Sequence, residues 1–134
     1  MKNLKILASF IILSFVLSFI ACSGSSTSSP AGAVTKAFDL IKNKEFEKVS
    51  KMYVTNRGET LSEAETKKME GLVAYAYEEH QKKDGIKNID INEETISEEG
   101  NSAKVKITIH FNNGETDNNT SNLIKKDGKW FLKL

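Results

Sequence analysis

Few side chains in this 134-residue chain can do acid–base, nucleophilic or ligating chemistry near neutral pH. Two are histidines, His80 and His110; three are tyrosines, Tyr53, Tyr75 and Tyr77; one is the only cysteine, Cys22. A histidine titrates near neutrality and acts as a general base where a pocket holds it against substrate. His80 lies four residues after Ala76 and so falls on the apolar face of a predicted helix. The segment around it, "EEHQKK", is strongly solvated in character. A partly exposed histidine at a helix C-terminus is therefore expected, where the helix dipole favours its cation. His110 alternates with an apolar strand face and is expected at the surface. The tyrosine rings could line a pocket and offer hydroxyls to a ligand, although such residues more often form core with a wet tip. Tyr53, Tyr77 and His80 are the candidate pocket residues.

Other chemistries find little support. One cysteine cannot form an internal disulfide. The two histidines lie on separate elements with no paired cysteines, so neither a metal nor a cofactor is expected. No glycine-rich phosphate loop, metalloprotease helix or nucleophile elbow occurs. The formal net charge is +1, with Lys2 and Lys5 the only charges before Cys22. From Cys22 onward, 17 basic residues face 18 acidic ones. Such a balanced surface lacks the basic footprint that nucleic-acid binding needs.

Cys22 stands at a change of composition. "MKNLK" is a short basic start, and Ile6 to Ala21 is an uncharged apolar run. That run is shorter than the about 20 residues that cross a bilayer, and suits the core of a secretory signal ending at small Ala21. Phe19-Ile20-Ala21-Cys22 resembles the lipobox of bacterial lipoproteins, with Phe19 where leucine is commoner. The resemblance implies a diacylglycerol on the Cys22 thiol, cleavage between Ala21 and Cys22, and an acylated new amine, so that the membrane is a partner through the lipid. Ser23, in place of an aspartate, favours the periplasmic face of the outer membrane over the inner membrane by the same resemblance. The Ser-rich stretch that follows reads as a flexible leash. The expected organisation is a cleaved signal over 1–21, a lipidated cysteine and tether over 22–29, and one domain over 30–134.

The elements that must position the candidate residues follow from periodicity. Ser29-Pro30 opens a helix, with serine as cap and proline at the first helical position. Val34, Ala37, Phe38 and Ile41 form its apolar stripe. Asn43-Lys44 breaks it, and a short second helix carries Phe46, Val49 and Tyr53. A third helix begins at a capping box, Ser62 with Glu65, and stops at Gly85. Its inner stripe is Met69, Leu72, Val73 and Ala76, with Tyr77 beside it and His80 on the same face. Beyond Gly85 the period becomes two. "IKNIDINEET" reads as a strand, and "AKVKITIHF" sets Ala103, Val105, Ile107, Ile109 and Phe111 on one face. Glu99-Gly100-Asn101, Asn112-Asn113-Gly114 and Asp127-Gly128 are turn signals. In "KWFLKL", Trp130, Leu132 and Leu134 face inward. "ETDNNTSN" is polar on both faces, and such runs are poor strand formers. It is expected as the end of a long loop, with pairing confined to Leu123 and Ile124; the other reading has its inward side chains line a polar cavity.

Helices followed by a meander of strands give an α+β class: N-terminal helices on a curved four-stranded antiparallel sheet. "SPAGAVTKAFDLIKNKEFEKVSKMY", "DGIKNIDINEETISEEGNSAKVKITIHFNNGET" and "LIKKDGKWFLKL" together resemble a family of small bacterial lipoproteins of unknown function. That family has a nuclear transport factor 2-like, cystatin-like domain, and the resemblance covers almost all of Pro30 to Leu134. The shared residues are packing and turn residues, so the resemblance implies a fold and an address without an active site. The reading is a lipid-anchored envelope protein whose non-catalytic domain binds a small apolar ligand or an envelope protein. Two alternatives stand beside it: a pocket enzyme with a histidine or carboxylate general base, and a partner-binding or inhibitory module using the exposed sheet face.

Overall fold

A computed structural model describes residues 26–134. The signal segment, the Ala21–Cys22 cleavage position, Cys22 itself and the first part of the tether lie outside the described residues. Helix α1 spans Pro30–Lys42. Ser29 caps it in extended conformation, its Oγ accepting from the Gly32 N–H at 3.0 Å. The Ala31 N–H instead donates to the carboxylate of Glu94, 63 residues away, at 2.9 Å. A carboxylate there satisfies an orphan donor and complements the helix dipole. Lys44, with φ of 61°, reverses the chain into α2, Phe46–Ser50. Helix α2 ends before Tyr53. That residue belongs to a two-residue strand, β1, Tyr53–Val54, and not to the helix expected from its spacing.

Helix α3 spans Glu63–Gln81 and starts with the full capping box: Ser62 Oγ accepts from the Glu65 N–H, and Glu65 accepts from the Ser62 N–H. It closes through Asp84 and Gly85, both at positive φ, with the Gly85 N–H returning to the His80 carbonyl at 3.0 Å. The left-handed stop thus needs two residues, and only the second is glycine.

Four longer strands follow: β2, Ile86–Ile96; β3, Ser102–Phe111; β4, Thr116–Lys126; and β5, Lys129–Lys133. The sheet order is β1-β5-β4-β3-β2. The meander from β2 to β5 is antiparallel, as its turn signals require, while β1 adds parallel to β5 through Tyr53↔Leu132. The architecture is therefore α+β with a curved mixed sheet of five strands, one more than the sequence pattern gives.

Strand β4 departs most from expectation. "ETDNNTSN" is not a loop: β4 pairs with β3 from Ser102↔Ile124 to His110↔Thr116. The tight turn at Asn112–Gly114 and the backbone donors of β3 enforce this register whatever the side chains prefer.

The core lies between α1 and the concave sheet face. It joins Val34 and Ala37 of α1, Val49 of α2, Val105, Ile107, Ile109 and Phe111 of β3, Leu123 of β4, and Trp130 and Leu132 of β5. All five inward residues of β3 are buried. Leu134, expected inward, is 48% exposed, because β5 ends before it. Helix α3 packs mainly on α2 and α1, with the Phe46 and Tyr77 rings 5.5 Å apart.

Candidate functional site

Because α3 leans on the other helices, a cleft of about 220 Å³ remains between its inner stripe and the sheet. Met69, Leu72, Val73 and Ala76 line one wall, spaced so that a helix carries them on one face. Phe38 and Ile41 of α1 close the floor with Ile109 and Leu132. The opposite wall is polar. Ile107↔Asn119 and Val105↔Ser121 are paired in register, so Asn119 and Ser121 share the inward side with Leu123 and both reach the cleft. Leu72 is 53% exposed because it stands at the rim.

His80 and Tyr53 complete the lining. His80 stands half-buried in the last turn of α3, as expected, but its surroundings disfavour the cation that the helix end was expected to favour. Its ring lies 5.5 Å from that of Phe111, and its Nδ1 is buried with no hydrogen-bond partner among the described residues. Burial holds its pKa below the ordinary value, Lys83 adds to that effect, and Asp117 opposes it. Those two charges are tied to each other at 2.6 Å, and the Lys83 ammonium also sits 4.6 Å from the Phe111 ring centre. His80 is therefore a neutral imidazole at pH 7. Burial raises the pKa of the Tyr53 phenol, which keeps its proton.

Tyr77 does not reach the cleft. It lies against Phe46, with the Lys44 ammonium 5.4 Å from its ring centre, and borders a smaller cavity of about 190 Å³. His80 lines both spaces and forms part of the wall between them. Tyr75 points away and is 65% exposed. His110 lies on the outer sheet face, as expected, its Nε2 2.6 Å from the Asp90 carboxylate. Beside it, Asn92 donates to the Thr108 hydroxyl, which in turn donates to Asn118. Asn119 and Ser121 follow the second reading of "ETDNNTSN", inward side chains lining a polar cavity, which did not single out either residue. The signal was their parity with Leu123, which holds once the stretch is taken as a strand.

Chemically, the cleft can receive an apolar group and hydrogen-bond one edge of it. No Lys, Arg, Asp or Glu among the described residues lines it. No cluster of three or more His, Cys, Asp or Glu able to hold a metal occurs among the described residues. Ser121 and His80 line the same space without a hydrogen bond between them.

Helices stacked over a strongly curved sheet, with a cleft left open under the third helix, define the NTF2-like class of α+β domains. A crystal structure from Campylobacter jejuni, of a protein provisionally named an NTF2-like transpeptidase, superposes with a TM-score of 0.64 at 26% identity, covering 78% of this chain and 97% of that one. Aln2 from a Streptomyces species aligns more loosely, with a TM-score of 0.40 at 14% identity over 78% of this chain and 87% of that one. No curated protein matches the sequence. Residues 20–133 match the model of a domain of unknown function, DUF4878, and the chain belongs to that family.

Proposed function

We propose that this protein is a lipid-anchored bacterial envelope protein whose domain binds a small ligand in the cleft between α3 and β4 without turning it over. One observation carries the reading: an apolar helix stripe faces a strand whose inward side chains are polar and unpaired with each other. An ordinary core would close that gap, since interiors pack to crystal-like density. The lipobox-like Phe19-Ile20-Ala21-Cys22 supplies the anchor, through acylation at Cys22 and release of the segment ending at Ala21. The outer membrane's periplasmic face is the address that Ser23 favours.

The Campylobacter relative's name brings a second chemistry into view, acyl transfer. That reaction needs a nucleophile in hydrogen-bond reach of a base. Among the described residues that line the cleft, Ser121 carries the one aliphatic hydroxyl and His80 the one imidazole, and no hydrogen bond links them. Binding therefore accounts for the arrangement with fewer additions than catalysis does.

The test is occupancy of the cleft. N-phenylnaphthylamine, a neutral fluorophore that brightens in apolar surroundings, should bind the protein. Ala76→Phe, which fills the cleft from α3, should abolish the signal while circular dichroism stays unchanged. Undiminished fluorescence in the folded variant would remove the cleft as the binding site.

A further inference from the structure

The polarity of the cleft wall restricts what it accepts. We infer that the cleft takes a neutral amphipath, a single alkyl chain or ring bearing an uncharged hydroxyl, carbonyl or amide, with its apolar side on α3 and its polar edge on Asn119 and Ser121. The inference rests on the cleft being the binding site and goes further, to the class of ligand.

Three observations carry it. The first is the lining, which contains no Lys, Arg, Asp or Glu among the described residues. Asn119 is exposed and Ser121 half-buried, so an ionised group drawn past them into the cleft would give up hydration and meet no opposite charge, which is costly. Lys83 and Asp117, at the His80 end, are already paired and do not line the space. The second is the donor and acceptor inventory on β4. An amide and a hydroxyl each donate and accept, so together they match a neutral polar group of either sense. Asn118, which faces outward, has a partner in Thr108. The side chains of Asn119 and Ser121 have none among the described residues and are free for a ligand. The third is size. At about 220 Å³ the cleft falls below the roughly 300–1,000 Å³ of sites for drug-sized ligands, so it holds one chain or ring. His80 and the Tyr53 phenol, both uncharged at pH 7, bound the space without changing this polarity.

The experiment compares octanol, octanoate and octylamine, which share a chain and differ in charge, titrated into the full chain at pH 7.5 with amide chemical shifts as readout. Octanol should perturb Leu72, Ala76, Asn119 and Ser121 and bind at least roughly tenfold tighter than either ion, the discrimination expected when a charge would be buried unpaired. The double substitution Asn119→Val with Ser121→Val should weaken octanol by roughly tenfold, the scale of a lost ligand hydrogen bond. Its fold is checked by the unchanged dispersion of the β3 amides. If octanoate or octylamine binds as tightly as octanol with shifts still in the cleft, the neutral class is wrong and the binding site stands. Retention of octanol affinity by the folded double variant also overturns the assignment, because the polar wall would play no part. If none of the three perturbs the cleft, the binding reading itself fails and takes this inference with it.

Discussion

At the scale of single residues, His80 is the group whose charge the fold controls most directly. Burial beside Phe111 lowers its pKa, Lys83 in the turn that follows α3 acts in the same sense, and Asp117 on β4 acts against both. An unfolded histidine titrates near 6.5. Since the folded value is lower, the unfolded chain binds more protons in the interval between them, and stability there rises with pH. The His80 contribution is complete above about pH 6.5 and is lost as pH falls towards the folded value. Thermal unfolding of the wild type should therefore show a falling midpoint between pH 7.5 and pH 5, and His80→Gln should flatten that decline. A variant with the wild-type slope would locate the sensitivity elsewhere. The opposing Asp117 gives a control: Asp117→Asn should steepen the decline, because it removes the charge that favours the imidazolium.

At the scale of elements, β4 holds the trade between folding and binding. Asparagine is a poor strand former, and measured strand preferences span about 1 kcal/mol. Asn119→Val should stabilise the domain by up to about 1 kcal/mol, a rise in unfolding midpoint of about 4–8 °C for a domain of this size, while weakening retention of a neutral ligand. A stabilised variant with unimpaired octanol binding would separate the two properties and argue against Asn119 as a ligand contact. The same strand shows where the sequence was legible. β3 could be read directly, because all five of its inward residues enter the core and alternation records that burial. The α1 cap and the α3 capping box could be read because each is a local bond between named side chains and backbone, and the three hairpin turns because each holds a glycine at positive φ. β4 could be read as a strand only at Leu123 and Ile124, with its polar half left between a loop end and a cavity wall. Its inward residues at 119 and 121 face a cleft, so the hydrophobic signal vanishes where the site begins. β1 was hidden differently: two residues are too few for a period, and its parallel pairing to β5 joins Tyr53 to Leu132 across most of the chain. His80 had the correct helical phase from Ala76, but its charged neighbours along the chain obscured it. Glu78 and Glu79 precede it on other faces of α3, and Lys82 and Lys83 lie beyond the helix end.

At the scale of the whole molecule, the proposed leash reaches the domain at the Trp130 end of the sheet, and the cleft runs from Leu132, near that end, to His80 at the other. The described chain begins at Ser26, and the Thr27 carbonyl accepts from the Trp130 N–H at 2.9 Å. A Cβ at Gly32 would run into the Ser26 carbonyl, so the lead-in segment lies close on the first turn of α1. Trp130 pairs with Lys125, next to Ile124, which is opposite Ser102 at the start of β3. His80 meets Phe111 at the other end of that strand. Ten residues of strand span about 30 Å, so a leash arriving at Ser26 leaves the His80 end of the domain far from the attachment point. On that proposal the His80 end of the cleft should be unaffected by lipid attachment. A single acyl chain holds a protein to a bilayer only marginally, and two or three on one residue hold it firmly. Cys22→Ala should accordingly move the protein from the membrane fraction to an unprocessed precursor or a soluble form. Any soluble product should keep the wild-type unfolding midpoint and the same N-phenylnaphthylamine signal. Membrane fractionation of a processed Cys22→Ala protein would overturn the lipid anchor. Loss of fluorophore binding on release would instead show that the anchor and the cleft are coupled, against the separation that the placement of Ser26 and His80 implies.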